Sequence, residues 1–197
     1  MTITLPTNPA PREATPFRVD FGGVLTPFLG GPVTSIGRLG TRLALRVLYP
    51  PIRGTIARQF QARLLRGLQE RVLLPWPLLD LDPGSPPNPQ IEALSSGTAI
   101  SLKGLGAGYI YLEGQPISIV HAGRRYMHII TGNGSADGSG EAAIGIYPPS
   151  RVTYSVNDTV EIEAPKIEGL VNPGEEHSWG YALEHTMEFA FTVVETA

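Results

Sequence analysis

Beyond residue 90 the chain is cut into short apolar segments, at residues 98–103, 109–112, 117–120, 125–130, 141–146 and 159–164, with glycine turns between them and no helical period. Segments this short and this close read as strands that reverse direction repeatedly, which points to a small barrel or sandwich. The 23 glycines and 19 prolines supply the turns, without the short period of collagen or the low complexity of a linker.

The first third continues the theme. Phe17, Val19 and Phe21 alternate with Arg18 and Asp20. Leu43, Leu45, Val47 and Tyr49 face away from Arg42, Ala44 and Arg46 until Pro50-Pro51 ends the ladder. Thr34-Ser35-Ile36 is read as a short strand after a Gly/Pro-rich stretch. The last alternation is the strongest: Tyr181, Leu183, His185, Met187, Phe189, Phe191 and Val193 share one face. A single stretch has a different period. Ile56, Phe60, Leu64, Leu68 and Val72 recur every four residues with Leu65 beside them, predicting a helix over 56–72, capped by Thr55 and stopped at Pro75-Trp76-Pro77. One apolar stripe needs a surface to cover, and a sheet is the natural one. The four prolines within residues 1–16 read as an extended arm, residues 82–89 as an internal boundary, and Asn172-Pro173-Gly174 as a further turn.

Net charge is only −3 but divides unevenly. Residues 12–71 hold ten arginines against three acids, and residues 113–195 hold twelve acids against four bases. Few aromatics lie among the arginines, so no direct nucleic-acid recognition is expected. A basic half and an acidic half suit head-to-tail contacts between copies. Arg42, Arg46, Arg58 and Arg63 on one side, with Glu161 and Glu163 on the other, are the candidate subunit-interface residues. The start lacks a basic region and an apolar run, so no signal peptide is expected. Residues 21–37, the longest uncharged stretch, carry five glycines and two prolines and are too short to span a bilayer, so no membrane segment is expected.

Chemistry is sparse. The absence of cysteine removes disulfides, thiolate metal sites and thiol nucleophiles. Asn133, Ser135, Asp137 and Gly138 echo the start of a calcium loop, but the twelfth position, where a bidentate glutamate belongs, is Ile144. The glycine-rich residues 132–140 read as a mobile hairpin tip. Glu161 and Glu163 share a strand face, which is ordinary for an outer face, and no nucleophile, base and oxyanion set comes together. No catalytic residue, cofactor or metal is expected. The richest polar cluster is His121, Arg124, Arg125, Tyr126 and His128. Arg124, Arg125, Tyr126 and His128 form a candidate ligand edge, where arginine forks and a tyrosine platform suit a sugar or an anion.

The order of these pieces carries a resemblance. A Phe-x-Val-Asp strand at 17–20 leads through a Gly/Pro loop to an Arg/Leu strand ending in Tyr-Pro-Pro at 42–51. Then come the helix and a Leu-Pro-Trp-Pro exit. Gly-Arg-Arg-Tyr-Met-His at 123–128, an Asp-Gly-Ser-Gly-Glu turn, Ile-Tyr-Pro-Pro at 146–149, Pro-Lys-Ile-Glu-Gly-Leu at 165–170 and a closing aromatic strand follow. This layout resembles the distal-tail and tail-hub proteins of long, non-contractile phage tails and their relatives in prophages and gene transfer agents. The resemblance implies a mainly β protein: a β-sandwich with one flanking α-helix and an inserted small β-barrel or sandwich domain. It divides the chain into an arm at 1–16, a discontinuous ring-forming domain at 17–82 and 171–197, and an inserted β-domain at 90–170. It also implies a non-enzymatic structural protein of the virion tail, assembled in the host cytoplasm. Six copies would form a ring joining the tail tube to tip or hub proteins. The alternative is a carbohydrate-binding module for host recognition.

Overall fold

The computed structural model describes residues 2–38, 40–171 and 186–196. In chain order its elements are β1 (Thr2–Thr4), β2 (Glu13–Val19), β3 (Gly23–Leu25), β4 (Thr34–Ile36), β5 (Arg42–Leu48), β6 (Ile52–Arg53), α1 (Gly54–Gly67) and β7 (Arg71–Pro75). These are followed by β8 (Gln90–Ile91), β9 (Ser95–Lys103), β10 (Ile110–Tyr111), β11 (Pro116–His121), β12 (Arg124–Ile130), β13 (Gly134–Ser135), β14 (Ala142–Tyr154) and β15 (Thr159–Glu161). The chain closes with β16 (Lys166–Val171), β17 (Thr186–Met187) and β18 (Ala190–Glu195). Among the described residues the fold is mainly β with one helix, as the strand pattern leads one to expect.

Six strands form one sheet in the order β1-β7-β16-β18-β5-β2, and six others close a barrel in the order β11-β12-β14-β9-β8-β15. β7 and β16 are antiparallel neighbours, with Leu74 opposite Ile167. The barrel is therefore inserted between adjacent strands, where the ends of an insertion lie side by side and the host sheet keeps its pairing. The sheet core contains Leu43, Leu45 and Val47 of β5 and the following Tyr49, together with Phe189, Phe191 and Val193. Both alternations thus bury the expected face. Ala57, Phe60 and Leu64 of α1 pack into this cluster, and Phe60 meets Tyr49 edge-on at 4.8 Å. The barrel has its own core of Ile91, Ile100, Leu102, Ile117, Ile119 and Ile144 among others.

Several boundaries differ from the sequence reading. α1 stops at Gly67, and Val72 belongs to β7. A Cβ on Gly67 would come within 2.6 Å of a Val72 methyl and 2.8 Å of a Val171 methyl. Val72 extends the apolar stripe because it packs against the helix from the strand below. The buried helix positions are Ala57, Phe60, Leu64 and Gly67, while Ile56 and Leu68 are exposed. Thr55 lies inside the helix, and Arg53 takes the N-cap position without a side-chain cap.

Residues 1–16 are not a free arm. β1 pairs in parallel with β7 and buries Ile3, with Leu5 buried just beyond it, and Glu13 to Pro16 already pair with β5. The insertion ends before 170, since residues 166–171 have rejoined the sheet. β14 runs through Pro148-Pro149, where its pairing with β9 shifts register between Gly145 and Ser150, so no ladder N–H is missed there. Nor do residues 132–140 form a free tip. Ala136 is buried and donates its N–H to the Tyr109 carbonyl, while Asp137 accepts the Ser139 and Glu141 amides. The expected turn at 172–174 and the part of the last alternation at Tyr181, Leu183 and His185 lie outside the described residues. No helix among the described residues is long and apolar enough to cross a membrane.

Candidate interaction surfaces

The four residues of the expected ligand edge are not presented together. β11 and β12 form a hairpin whose two-residue turn is Ala122-Gly123, both at positive φ. Arg124 is exposed beside the turn. Arg125 spans inward, donating from Nε and Nη2 to Glu161 at 2.9 Å each. Tyr126 is buried, and His128 is 1% exposed inside the barrel. Strand alternation alone would have put Tyr126 and His128 on one side and Arg125 on the other, and the side they share is the barrel interior.

His128 shows how the interior is satisfied. Its Nδ1 lies 2.8 Å from the Pro148 carbonyl, which can only accept, so that nitrogen carries the proton. Nε2, 2.6 Å from the Tyr154 hydroxyl, then accepts. Burial pushes the imidazole down to about 4, with nearby Arg151 adding to the effect and the Pro148 bond opposing it. Burial likewise pushes the Tyr154 phenol up.

The expected interface residues are also dispersed. Arg42 of β5 donates to the carbonyls of Gly40 and Glu195 and lies over the Phe21 ring at 5.3 Å. Arg63 donates to the Thr4 carbonyl at 2.7 Å. Arg46 of β5 and Arg58 of α1 are exposed, and Glu163 is exposed in the connection from β15 to β16. Glu161 is tied to Arg125, to the Ser118 hydroxyl at 2.7 Å and to Lys166 at 3.7 Å. Burial raises the Glu161 carboxyl, but the Arg125 and Ser118 hydrogen bonds outweigh it, and the net direction is down.

Two carboxylates outside the candidate interface and ligand-edge residues join the bodies. Glu195, fully buried at the end of β18, meets Arg151 of β14 at 2.5 Å and accepts the Met127 amide of β12 at 2.9 Å. Burial pushes its carboxyl up, against the pull of Arg151 and the Met127 amide. Glu168, buried on β16, takes Arg71 at 3.1 Å and the Arg125 amide at 3.1 Å. The signal for Glu195 was legible: it follows Phe191 and Val193 on the core face of β18, where a charge needs a buried partner.

The surface holds the opposite inversion. β3 and β4 form a ribbon that leaves the sheet after β2. Along it and its connecting turn Val24, Leu25, Phe28, Leu29, Val33 and Ile36 are all exposed, Phe28 at 101% and Leu29 at 93%. This is the uncharged stretch at 21–37. Its base is held by Asp20, which accepts the Gly22 amide and the Thr41 hydroxyl, and by Arg18, which donates to the Tyr147 hydroxyl at 2.7 Å. Elsewhere, an open apolar groove of about 470 Å³ runs between the sheet and the barrel, lined by Phe17, Leu43, Trp76, Leu78, Leu81 and Ile129. Leu79 stands at its edge, 81% exposed, with φ of +47°. A bulky residue rarely takes that backbone conformation.

A scan against protein-family models and a search of curated proteins both find no match for this chain.

Proposed function

We propose that this chain is a structural, non-catalytic subunit that forms a ring at the distal end of a phage-type tail, between the tail tube and the tip or hub. The observation that carries the reading is the ribbon at 21–37, a run of exposed apolar side chains that no other described residue covers. Monomeric proteins rarely expose such a contiguous apolar surface, and one on a projecting ribbon suits contact with another protein. The layout resemblance supplies the particular assembly, six copies around a channel within the virion. The uneven charge supports it, because closed rings are built from heterologous contacts. Ionisable pairs such as Arg125–Glu161 and Arg151–Glu195 are used to hold the fold together. That use supports a structural role over a catalytic one. The glycan-binding alternative gains no specific support, since Tyr126 and His128 face inward.

The test is assembly. Negative-stain images of the purified protein at high concentration, alone and mixed with its tail-tube partner, are expected to show closed rings with a central channel. A monomer of 21.1 kDa under both conditions would remove the reading.

A further inference from the structure

Resting on that ring reading, we propose that the apolar ribbon of one copy docks into the groove between sheet and barrel of the next copy, making a head-to-tail contact. The two surfaces match in chemistry. The ribbon offers Phe28 and Leu29 fully to solvent, and the groove offers Phe17, Leu78, Leu81 and Ile129 with Leu79 held out at its edge. The Phe28 side chain loses no exposure to its own molecule, and in the groove Phe17 and Leu79 remain exposed.

Charge favours a second copy over a generic apolar surface. Arg38, exposed, follows the ribbon, while Glu113, exposed, lines the groove, and Asp80 and Asp82, also exposed, are the chain neighbours of its Leu79 and Leu81, Asp82 accepting the Gly84 amide as well. Arg18 also lines the groove but is already paired with Asp20 at 2.9 Å. The ribbon belongs to the stretch with ten arginines against three acids, and the groove's far wall begins the acidic stretch. Docking one into the other sets opposite charges around an apolar centre, the usual anatomy of a specific contact. Ribbon and groove are different surfaces of one chain, so the contact is heterologous and repeats until it closes.

The experiment uses two variants of the full chain, Phe28→Asp with Leu29→Asp, and Leu79→Asp alone. All three positions are exposed, and Asp tolerates the left-handed backbone at 79. By sedimentation velocity, each variant should weaken self-association about thirtyfold or more, as loss of an interface anchor does. An equimolar mixture of the two should form a one-to-one dimer and nothing larger, because one intact ribbon and one intact groove remain. Circular dichroism and unfolding midpoints matching wild type certify that both variants are folded. Wild-type assembly persisting in both variants would overturn the docking while leaving the ring reading in place. A wild-type protein monomeric at every concentration, with or without its tube partner, would remove both. Ribbon-dependent binding to phosphatidylcholine vesicles by a monomer would assign the ribbon to a lipid surface and overturn the second copy.

Discussion

The barrel and the sheet solve the same problem in opposite ways. The barrel closes on itself, β15 pairing with both β8 and β11, so it has no free edge. It keeps polar groups inside and satisfies them: His128 with Tyr154 and Pro148. Among the described residues the sheet ends on β1 and β2 with no strand beyond either, and it sends an apolar ribbon into solvent. Closed edges and inward polar groups describe a body that completes itself, whereas open edges and outward apolar groups describe one that awaits a neighbour. The buried Arg151–Glu195 pair and the bond from the Arg125 amide to Glu168 join them, so the position of the ribbon is referred to the barrel and its groove.

The largest effect should come from breaking that joint. Arg151→Ala leaves Glu195 buried without its counter-ion, which costs about 3–5 kcal/mol. Urea unfolding should show the whole midpoint falling in one transition. If instead only part of the signal is lost, the two bodies unfold separately. The double change Arg151→Met with Glu195→Met should recover most of the loss, because the pair itself contributes little beyond an apolar match.

Next in size is the self-sufficiency of the barrel interior. His128 in the folded chain sits near 4, below its ordinary 6.5. The unfolded chain therefore takes up the proton first. The stabilisation from the neutral ring is complete above pH 6.5 and is lost as pH falls from there through about 4. The gap amounts to about 3 kcal/mol. Glu195, raised by burial, acts with the opposite sign, its contribution fading as pH rises, so the comparison must be made against His128→Asn. That variant should lose the acid slope between pH 6.5 and 4, and an unchanged slope would mean the ring does not titrate as its burial dictates.

A smaller gain is available at the barrel's turn. Ala122 holds φ of +49° where a two-residue hairpin favours Asn or Gly. Ala122→Asn should stabilise the protein by up to about 1 kcal/mol, read as a raised unfolding midpoint. An unchanged or lower midpoint would mean that the strain is relieved elsewhere.

What the sequence disclosed follows the same division. The barrel strands, the glycine turns between them and the core faces of β5 and β18 were legible because alternation and turn chemistry are local. The end of α1 was not, since Val72 continues a helical spacing from a strand that packs beneath Gly67. The ligand edge failed for a related reason. Period-2 pattern assigns residues to faces without saying which face a closed barrel turns inward, and Tyr126 and His128 carry polar tips on an apolar interior. The stretch at 21–37 was read as a Gly/Pro-rich loop with a short strand at 34–36 and was too short for a membrane span. That its apolar residues lie uncovered is a tertiary fact, visible once the rest of the sheet is in place.

The smallest effect is the most discriminating. Phe28→Ser touches a side chain that buries nothing in its own chain, so below the assembly concentration it should change unfolding free energy by no more than about 0.5 kcal/mol. Above that concentration wild type gains stability by mass action from its neighbours, and the variant should gain less. The two unfolding midpoints should therefore coincide in dilute solution and separate as protein concentration rises. A variant destabilised equally at every concentration would place Phe28 in the core of its own fold, and the ribbon would then belong with the barrel as a part of the chain that completes itself.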